Sequence, residues 1–230
     1  VNTGVVIVAA GSGRRMGAER NKVWLPLGGE PILAHTVRLF AAHPEIGEVV
    51  LVVSERDHAD VLAWLKREKL KLTVALGGAE RQDSVRSGLA ALSPNCSYVL
   101  VHDAARPFVT REQISELIRQ VRRDQATIMA VPVKDTIKVV GANGKVQSTP
   151  ARESLWAVQT PQAFRVSLLR EAHQAALEAG KTGTDDAMLV EWLGHPVTVM
   201  PGSYENIKIT TPDDLWLGEE ILRRRRGEQR

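Results

Sequence analysis

Val5-Val6-Ile7-Val8-Ala9-Ala10-Gly11-Ser12-Gly13-Arg14-Arg15-Met16-Gly17 decides the architecture. A short run of β-branched and apolar residues gives way to a glycine turn. The run is unbroken rather than alternating, which predicts a strand covered on both faces, as in parallel sheets. Similar runs return at Val49–Ser54, Leu72–Leu76, Tyr98–His102 and Thr127–Val131. Amphipathic stretches lie between them. Ile114, Leu117, Ile118 and Val121 repeat at i, i+3, i+4, i+7 and so share one helix face. In Pro31–Phe40, Pro31 is expected at the first helical position, ahead of Ile32, Leu33, Thr36, Val37 and Phe40. This alternation predicts an α/β fold: a Rossmann-like, mostly parallel sheet flanked by helices, with right-handed crossovers. Ligands of such sheets bind beyond the carboxyl ends of the strands, which is where chemistry is sought.

Pro132–Val158 breaks the rhythm. Val133–Val140 and Lys145–Thr149 alternate on either side of a turn containing Asn143-Gly144, a strong hairpin signal. The segment is too short and too polar for a core of its own and reads as an arm leaving the sheet. A two-stranded ribbon is marginal alone in water, so a partner surface is expected to cover it, most simply in a homodimer.

Of 230 residues, 43% are hydrophobic and 25% charged, which excludes a disordered or fibrous chain. Residues 1–222 read as one domain, with the arm at about 132–158 inserted in it. Residues 223–230 read as a flexible basic tail. Its five arginines against Glu228 outweigh the whole chain's formal +3, so the body is slightly acidic. A nucleic-acid binder would carry a basic stripe across the fold, and aromatics for single strands. Aromatics here are 4%, so the tail reads as a solvated charge run and no nucleic acid is expected. The apolar runs fall far short of the roughly 20 residues of a membrane span. Val1–Ala10 lacks the basic start and cleavage signal of a secretory leader. The single Cys96 fits a reducing, cytoplasmic compartment. The histidines show no i,i+4 metal-binding pair, and no G-x-S-x-G elbow is present.

The glycine loop matches neither the dinucleotide fingerprint nor the P-loop spacing. It offers instead backbone N–H groups at a strand end, with Arg14, Arg15 and, further on, Lys22, a set suited to a triphosphate. Asp103 in His102-Asp103-Ala104-Ala105-Arg106-Pro107 stands where a strand surfaces. A carboxylate there is expected either to pair with Arg106 or to help hold Mg²⁺, which takes one or two carboxylates plus phosphate and water. In Gly77–Val85, backbone amides at a helix start, with Arg81 and Ser84, suit a base or a phosphate, and capping explains Asp83 or Ser84 equally well. Thr184 or Asp185 is expected to cap another helix. Arg152 and Lys208, taken singly, read as surface cations.

In order along the chain stand A-A-G-S-G-R-R-M-G, Asn21-Lys22, G-G-A-E-R-Q-D-S-V, H-D-A-A-R-P, P-V-K-D-T, L-W-A-V-Q-T-P-Q, G-T-D-D-A and N-I-K-I-T. This set resembles the 2-C-methyl-D-erythritol 4-phosphate cytidylyltransferases of the non-mevalonate isoprenoid pathway, over nearly the whole chain except the arginine tail. The resemblance implies transfer of CMP from CTP to the polyol phosphate, with Mg²⁺ as cofactor and a homodimer joined by the arm. A ribitol 5-phosphate cytidylyltransferase, or another sugar-phosphate nucleotidyltransferase, is the alternative. The resemblance further implies that Arg15 and Lys22 stabilise the transition state. Ala9, Ala10, Gly11, Gly13, Gly78, Ser84 and Asp103 fall where the family binds CTP, with Asp103 also near the metal. Arg106, Thr136 and Arg152 match positions that meet the acceptor, the arm supplying some from the neighbouring subunit, and Thr184 and Lys208 complete that pocket. Two departures stand out: Asn21-Lys22-Val23 where many members have Pro-Lys-Gln, and Tyr204-Glu205 where some have Asp.

Charge dictates the expected mechanism. A phosphomonoester has its second pKa near ~6 and is mostly dianionic at neutral pH, so its attack needs no general base. The difficulty is bringing two polyanions together, and cations must offset that repulsion where charge builds.

Overall fold

A computed structural model describes residues 2–11 and 21–228. The chain runs β1 (Asn2–Val8), β2 (Pro26–Leu27), β3 (Glu30–Pro31), α1 (Ile32–Ala41), β4 (Glu48–Val53), α2 (Glu55–Glu68), β5 (Thr73–Leu76), α3 (Arg81–Ala91) and β6 (Cys96–Asp103). It continues with α4 (Arg111–Asp124), β7 (Ala126–Pro132), β8 (Val139–Val140), β9 (Val146–Ser148), β10 (Trp156–Arg165), α5 (Val166–Glu178), α6 (Asp186–Trp192), β11 (Thr198–Pro201) and α7 (Pro212–Glu228). The main sheet has the order β11-β7-β10-β6-β1-β4-β5. β1, β4, β5 and β6 pair in parallel, as does β11 with β7, while β10 runs antiparallel to both β6 and β7.

The five apolar runs are the strands β1, β4, β5, β6 and β7, within a few residues of their expected ends. Alternate side chains feed two cores, as the period of two requires. Val5 and Ile7 meet α1, α2 and α4 on one face, whereas Val6 meets α3, α5 and α6 on the other. Ile114, Leu117, Ile118 and Val121 are the buried face of α4, whose start carries a Thr110–Gln113 capping box.

Pro31 is not the first helical residue. It closes β3 and caps α1 with an extended backbone (φ −56°, ψ 142°). Gly28 and Gly29, at φ 58° and 85°, form the tight turn of the β2–β3 hairpin. Both positions are left-handed, so a Gly-Gly pair is what the turn demands.

The arm joins β7 to its neighbour β10, leaving where Pro132 pairs with Trp156. Its ladder is shorter than expected: Val139 and Val140 pair with Ser148 and Val146 across a turn at Gly141–Gly144. Val140 and Val146 are 55% and 58% exposed, so no described part of the same chain covers them. At its base Lys134 Nζ lies 3.7 Å from the Tyr204 ring centroid, and Tyr204 Oη donates to the Pro132 carbonyl at 2.7 Å.

The arginine run departs from its expected form as a flexible tail. Residues 223–228 are the last turns of α7. Arg224 and Arg225 both pair with Glu205, and Arg225 also donates to the Phe108 carbonyl at 3.0 Å. The carboxylate and carbonyl acceptors beside α7 give these arginines partners, and Leu27, Ile32, Phe108, Ile209 and Ile221 form a small third core beneath.

α3 crosses β1 and β4 at Gly88, where an added Cβ would meet Val6 Cγ1 and Val52 Cγ2. Gly88→Val is expected to destabilise the fold by about 2–3 kcal/mol through overpacking, read as a lowered urea midpoint at unchanged m-value.

Candidate active site

The strand order reverses between β1 and β6, since β1 leads to β4 and β5 on one side while β6 returns to the other. Ligand crevices form at such a switch point. A cleft of about 470 Å³ opens there. Val8, Ala9, Ala10 and Gly11 line one wall, Gly78 to Arg81 and Ser84 the second, and Asp103, Ala105 and Lys208 the floor, with Asn21, Lys22 and Val23 at the rim. A cavity of about 580 Å³ lies along α7 between Trp216 and Gly227 and shares no lining residue with that cleft.

Asp103 is the charge centre. Its Oδ1 accepts from Arg81 Nε at 3.1 Å and its Oδ2 from Lys208 Nζ at 3.0 Å. The expected partner, Arg106, stands further off at 3.8 Å and turns its Nη1 to the Asn206 carbonyl at 2.8 Å. Burial alone would push the Asp103 carboxyl upward, but Arg81, Lys208 and Arg106 outweigh it and hold the group well below the usual carboxylate range. Arg81 also pairs with Asp186 at 2.8 Å, and Asp186 meets His173 Nε2 at 3.2 Å. Burial works against the charge of Arg81, and its two carboxylates more than restore it.

The loop before α3 is held by its own residues. Ser84 Oγ accepts from the Gly78 N–H at 3.2 Å, and Asp83 accepts from the Glu80 N–H at 3.1 Å. Ser84 is therefore both a wall of the cleft and a brace of the loop. The start of α6 is capped by Asp185, which accepts from the Met188 N–H at 2.9 Å. Lys208 is delivered by Asn206, fully buried, whose Nδ2 donates to the Thr160 carbonyl at 2.9 Å.

The cleft gathers Ala9, Ala10, Gly11, Lys22, Gly78, Arg81, Ser84, Asp103 and Lys208. Arg106 stands beside it, linked to Asp103. Arg15 and Gly13 lie outside the described residues. Thr136 and Arg152 sit exposed on the arm, Arg152 donating to the Lys134 carbonyl at 3.0 Å, and neither lines the cleft of its own chain. Thr184 is exposed, contacts Met188 Sδ and faces a smaller crevice behind Arg81. Sequence reasoning passed over Asp186, Asp57 and Thr160. Asp186 and Asp57 carry only helix-start signals, and Thr160 carries none.

Among the described residues no cluster of three or more His, Cys, Asp or Glu could hold a metal by itself. One ionised carboxylate in a cleft with basic side chains still suits a hard cation held mainly by phosphate and water.

His102 is fully buried behind Asp103. Its Nε2 meets the Arg106 carbonyl at 2.9 Å and its Nδ1 meets Thr160 Oγ1 at 3.0 Å. The carbonyl only accepts, so Nε2 carries the proton. Burial pushes the imidazole down to about 4 against the pull of that carbonyl. A histidine kept neutral in the fold stabilises it fully above the unfolded pKa near ~6.5 and progressively less as pH falls toward ~4. His102→Gln is expected to remove about 2 kcal/mol of the stability lost between pH 7 and pH 5, read by urea unfolding of both proteins at the two pH values.

The profile of IspD, 2-C-methyl-D-erythritol 4-phosphate cytidylyltransferase, matches residues 3–224. The chain is similar to the cytidylyltransferase of that name from Alkaliphilus metalliredigens, 47% identical over 98% of this chain and 95% of the relative. It is 49% identical to that of Halalkalibacterium halodurans over 95% and 96% of the two chains. Among solved structures it resembles the 4-diphosphocytidyl-2C-methyl-D-erythritol synthase of Anaerococcus prevotii, with TM-score 0.87 and 32% identity over 96% of each chain. The 2-C-methyl-D-erythritol 4-phosphate cytidylyltransferase of Thermus thermophilus gives TM-score 0.80 and 34% identity over 97% of this chain and 100% of the other. The likeness runs through sheet, arm and most of α7 alike, and the chain belongs to the 2-C-methyl-D-erythritol 4-phosphate cytidylyltransferase family.

Proposed function

We infer that this chain transfers the cytidylyl group of CTP to 2-C-methyl-D-erythritol 4-phosphate, forming 4-diphosphocytidyl-2-C-methyl-D-erythritol and pyrophosphate. The observation that carries the chemistry is the meeting of Lys22 and Lys208, from opposite ends of the chain, in one cleft around Asp103. In this reading the backbone at Ala9–Gly11 and at Gly78, with Ser84 and Arg81, cradles the nucleotide. Arg15 and Lys22 offset charge on the α-phosphoryl oxygens and the departing pyrophosphate as it grows. Lys208 and Arg106 draw the acceptor phosphate to the floor. The acceptor arrives as a dianion and attacks in line without a base. His102, the histidine beside Asp103, fits that account because both its nitrogens are already hydrogen-bonded.

Asp103 would hold a divalent cation, Mg²⁺, jointly with the triphosphate, and the ion would supply further neutralisation of the leaving group. The arm pairs two copies of the chain as a homodimer, covering the exposed valines, and Thr136 and Arg152 then serve the acceptor site of the neighbouring subunit. No helix among the described residues is long and apolar enough to cross a membrane. A buried free Cys96 accords with a reducing cytoplasm.

A pyrophosphate-release panel crossing four nucleoside triphosphates with methylerythritol and ribitol phosphates tests the substrates. CTP with methylerythritol phosphate is expected to dominate, and turnover on ribitol phosphate alone would overturn the assignment. Lys22→Ala is expected to lower kcat at least about 10²-fold, the usual cost of a lost transition-state donor. An effect confined to the CTP KM would remove its catalytic role. Arg152→Ala is expected chiefly to raise the acceptor KM. In a two-fold dimer that shares its sites, co-expressed Arg152→Ala and Lys22→Ala subunits recover about a quarter of parental activity at low acceptor concentration, whereas unshared sites recover none.

A further inference from the structure

We propose that Asp57 is a positioning residue for Lys22, an inference that rests on the catalytic reading of that lysine. Lys22 opens a short 3-10 turn, Lys22–Trp24. The residue before it and the last residue of its turn are both tied to one carboxylate on the first turn of α2. Asn21 Nδ2 donates to Asp57 Oδ2 at 2.9 Å, and Trp24 Nε1 donates to Asp57 Oδ1 at 3.3 Å. Ser54 Oγ, at the helix cap, donates to Oδ2 at 2.7 Å. Asn21 spends its other amide hydrogen on the Ala9 carbonyl at 2.8 Å, and its Oδ1 accepts from the Val23 N–H at 3.3 Å. Asn21 and Asp57 are each 6% exposed, so these bonds are sheltered from water.

The arrangement departs from ordinary capping. A carboxylate three residues after the cap commonly turns back to the cap's own N–H. Asp57 instead reaches out of α2 to the lysine turn, while the helix N-terminus favours its negative charge. Trp24 is further fixed edge-on against Trp64, with centroids 6.4 Å apart. The end of β1, the start of α2 and the lysine turn are thereby locked together. Lys22 leaves that locked turn into the cleft. A long, flexible side chain acts on a transient charge only as precisely as its backbone is held. This is also how Asn21 serves where many members carry proline: its amide fixes by hydrogen bonding what a ring would fix covalently.

Asp57→Asn places an amide N–H among three donors and leaves a buried donor unpaired. Turnover is measured at saturating substrates for Asp57→Asn, Lys22→Ala and the double variant. Asp57→Asn is expected to lower kcat about tenfold or more while the acceptor KM moves less than about twofold, the pattern of lost transition-state stabilisation. In the Lys22→Ala background the same change is expected to cost nothing further, because the group it positions is gone. Losses that multiply, with Lys22→Ala itself impaired, would overturn this proposal alone. A fully active Lys22→Ala enzyme would overturn both it and the catalytic reading of the lysine. Trp24→Phe keeps a ring against Trp64, removes the indole N–H that donates to Asp57, and serves if Asp57→Asn does not fold. It is expected to lower kcat about threefold in the parent and not at all in Lys22→Ala. Equal losses in both backgrounds would overturn the proposal.

Discussion

Asp103 ends β6 inside the protein, where an uncompensated carboxylate is expensive. The fold answers with Arg81 on one oxygen and Lys208 on the other, and Arg106 close by. Each answer sets a further requirement. Arg81 is itself partly buried and needs Asp186, so α6 must dock beside α3. Lys208 must be held at the right height, and Asn206 does so by binding the Thr160 carbonyl of β10. One desolvated anion thus fixes how the helices on one face, the antiparallel strand and the segment after β11 sit together. The cations collected for that purpose stand at the switch point of the sheet, and their charge is available to a phosphate.

The parallel strands were legible because burial on both faces writes an unbroken apolar run. β10 was not, and its residues say why. Gln159, Thr160 and Gln162 are buried polar groups whose partners are Ser203, His102, Asp103 and Asp185. No local pattern announces a bond to a residue so far away in sequence, and Pro161 within the run argues against a central strand. The arginine run misled for the reverse reason. Its charge read as solvation, while Glu205 and the Phe108 carbonyl, both distant in the chain, give it partners.

The cleft was legible as a set of residues and illegible as a set of pairs. Asp103, Arg81, Lys22 and Lys208 stand out from their chemistry and their motifs. The nearest cation in sequence, Arg106, was the natural partner for Asp103, yet the closer contacts come from Arg81 and Lys208. Likewise Ser54 and Asp57 carry the ordinary signature of a helix start. That Asp57 also grips the lysine turn depends on α2 lying beside the end of β1, a fact of tertiary packing alone.

The ion pair between Asp103 and Lys208 also imposes a timetable. Ribosomes deliver a polypeptide from its amino end, so β1 to β6, their covering helices and the glycine-lined wall emerge while Lys208 is still untranslated. During that interval Asp103 has Arg81 and Arg106 for company but lacks the ammonium that completes its shell. A growing chain can therefore bury most of its sheet before it owns the floor of its cleft, and becomes competent only when its final quarter folds back across the strand ends.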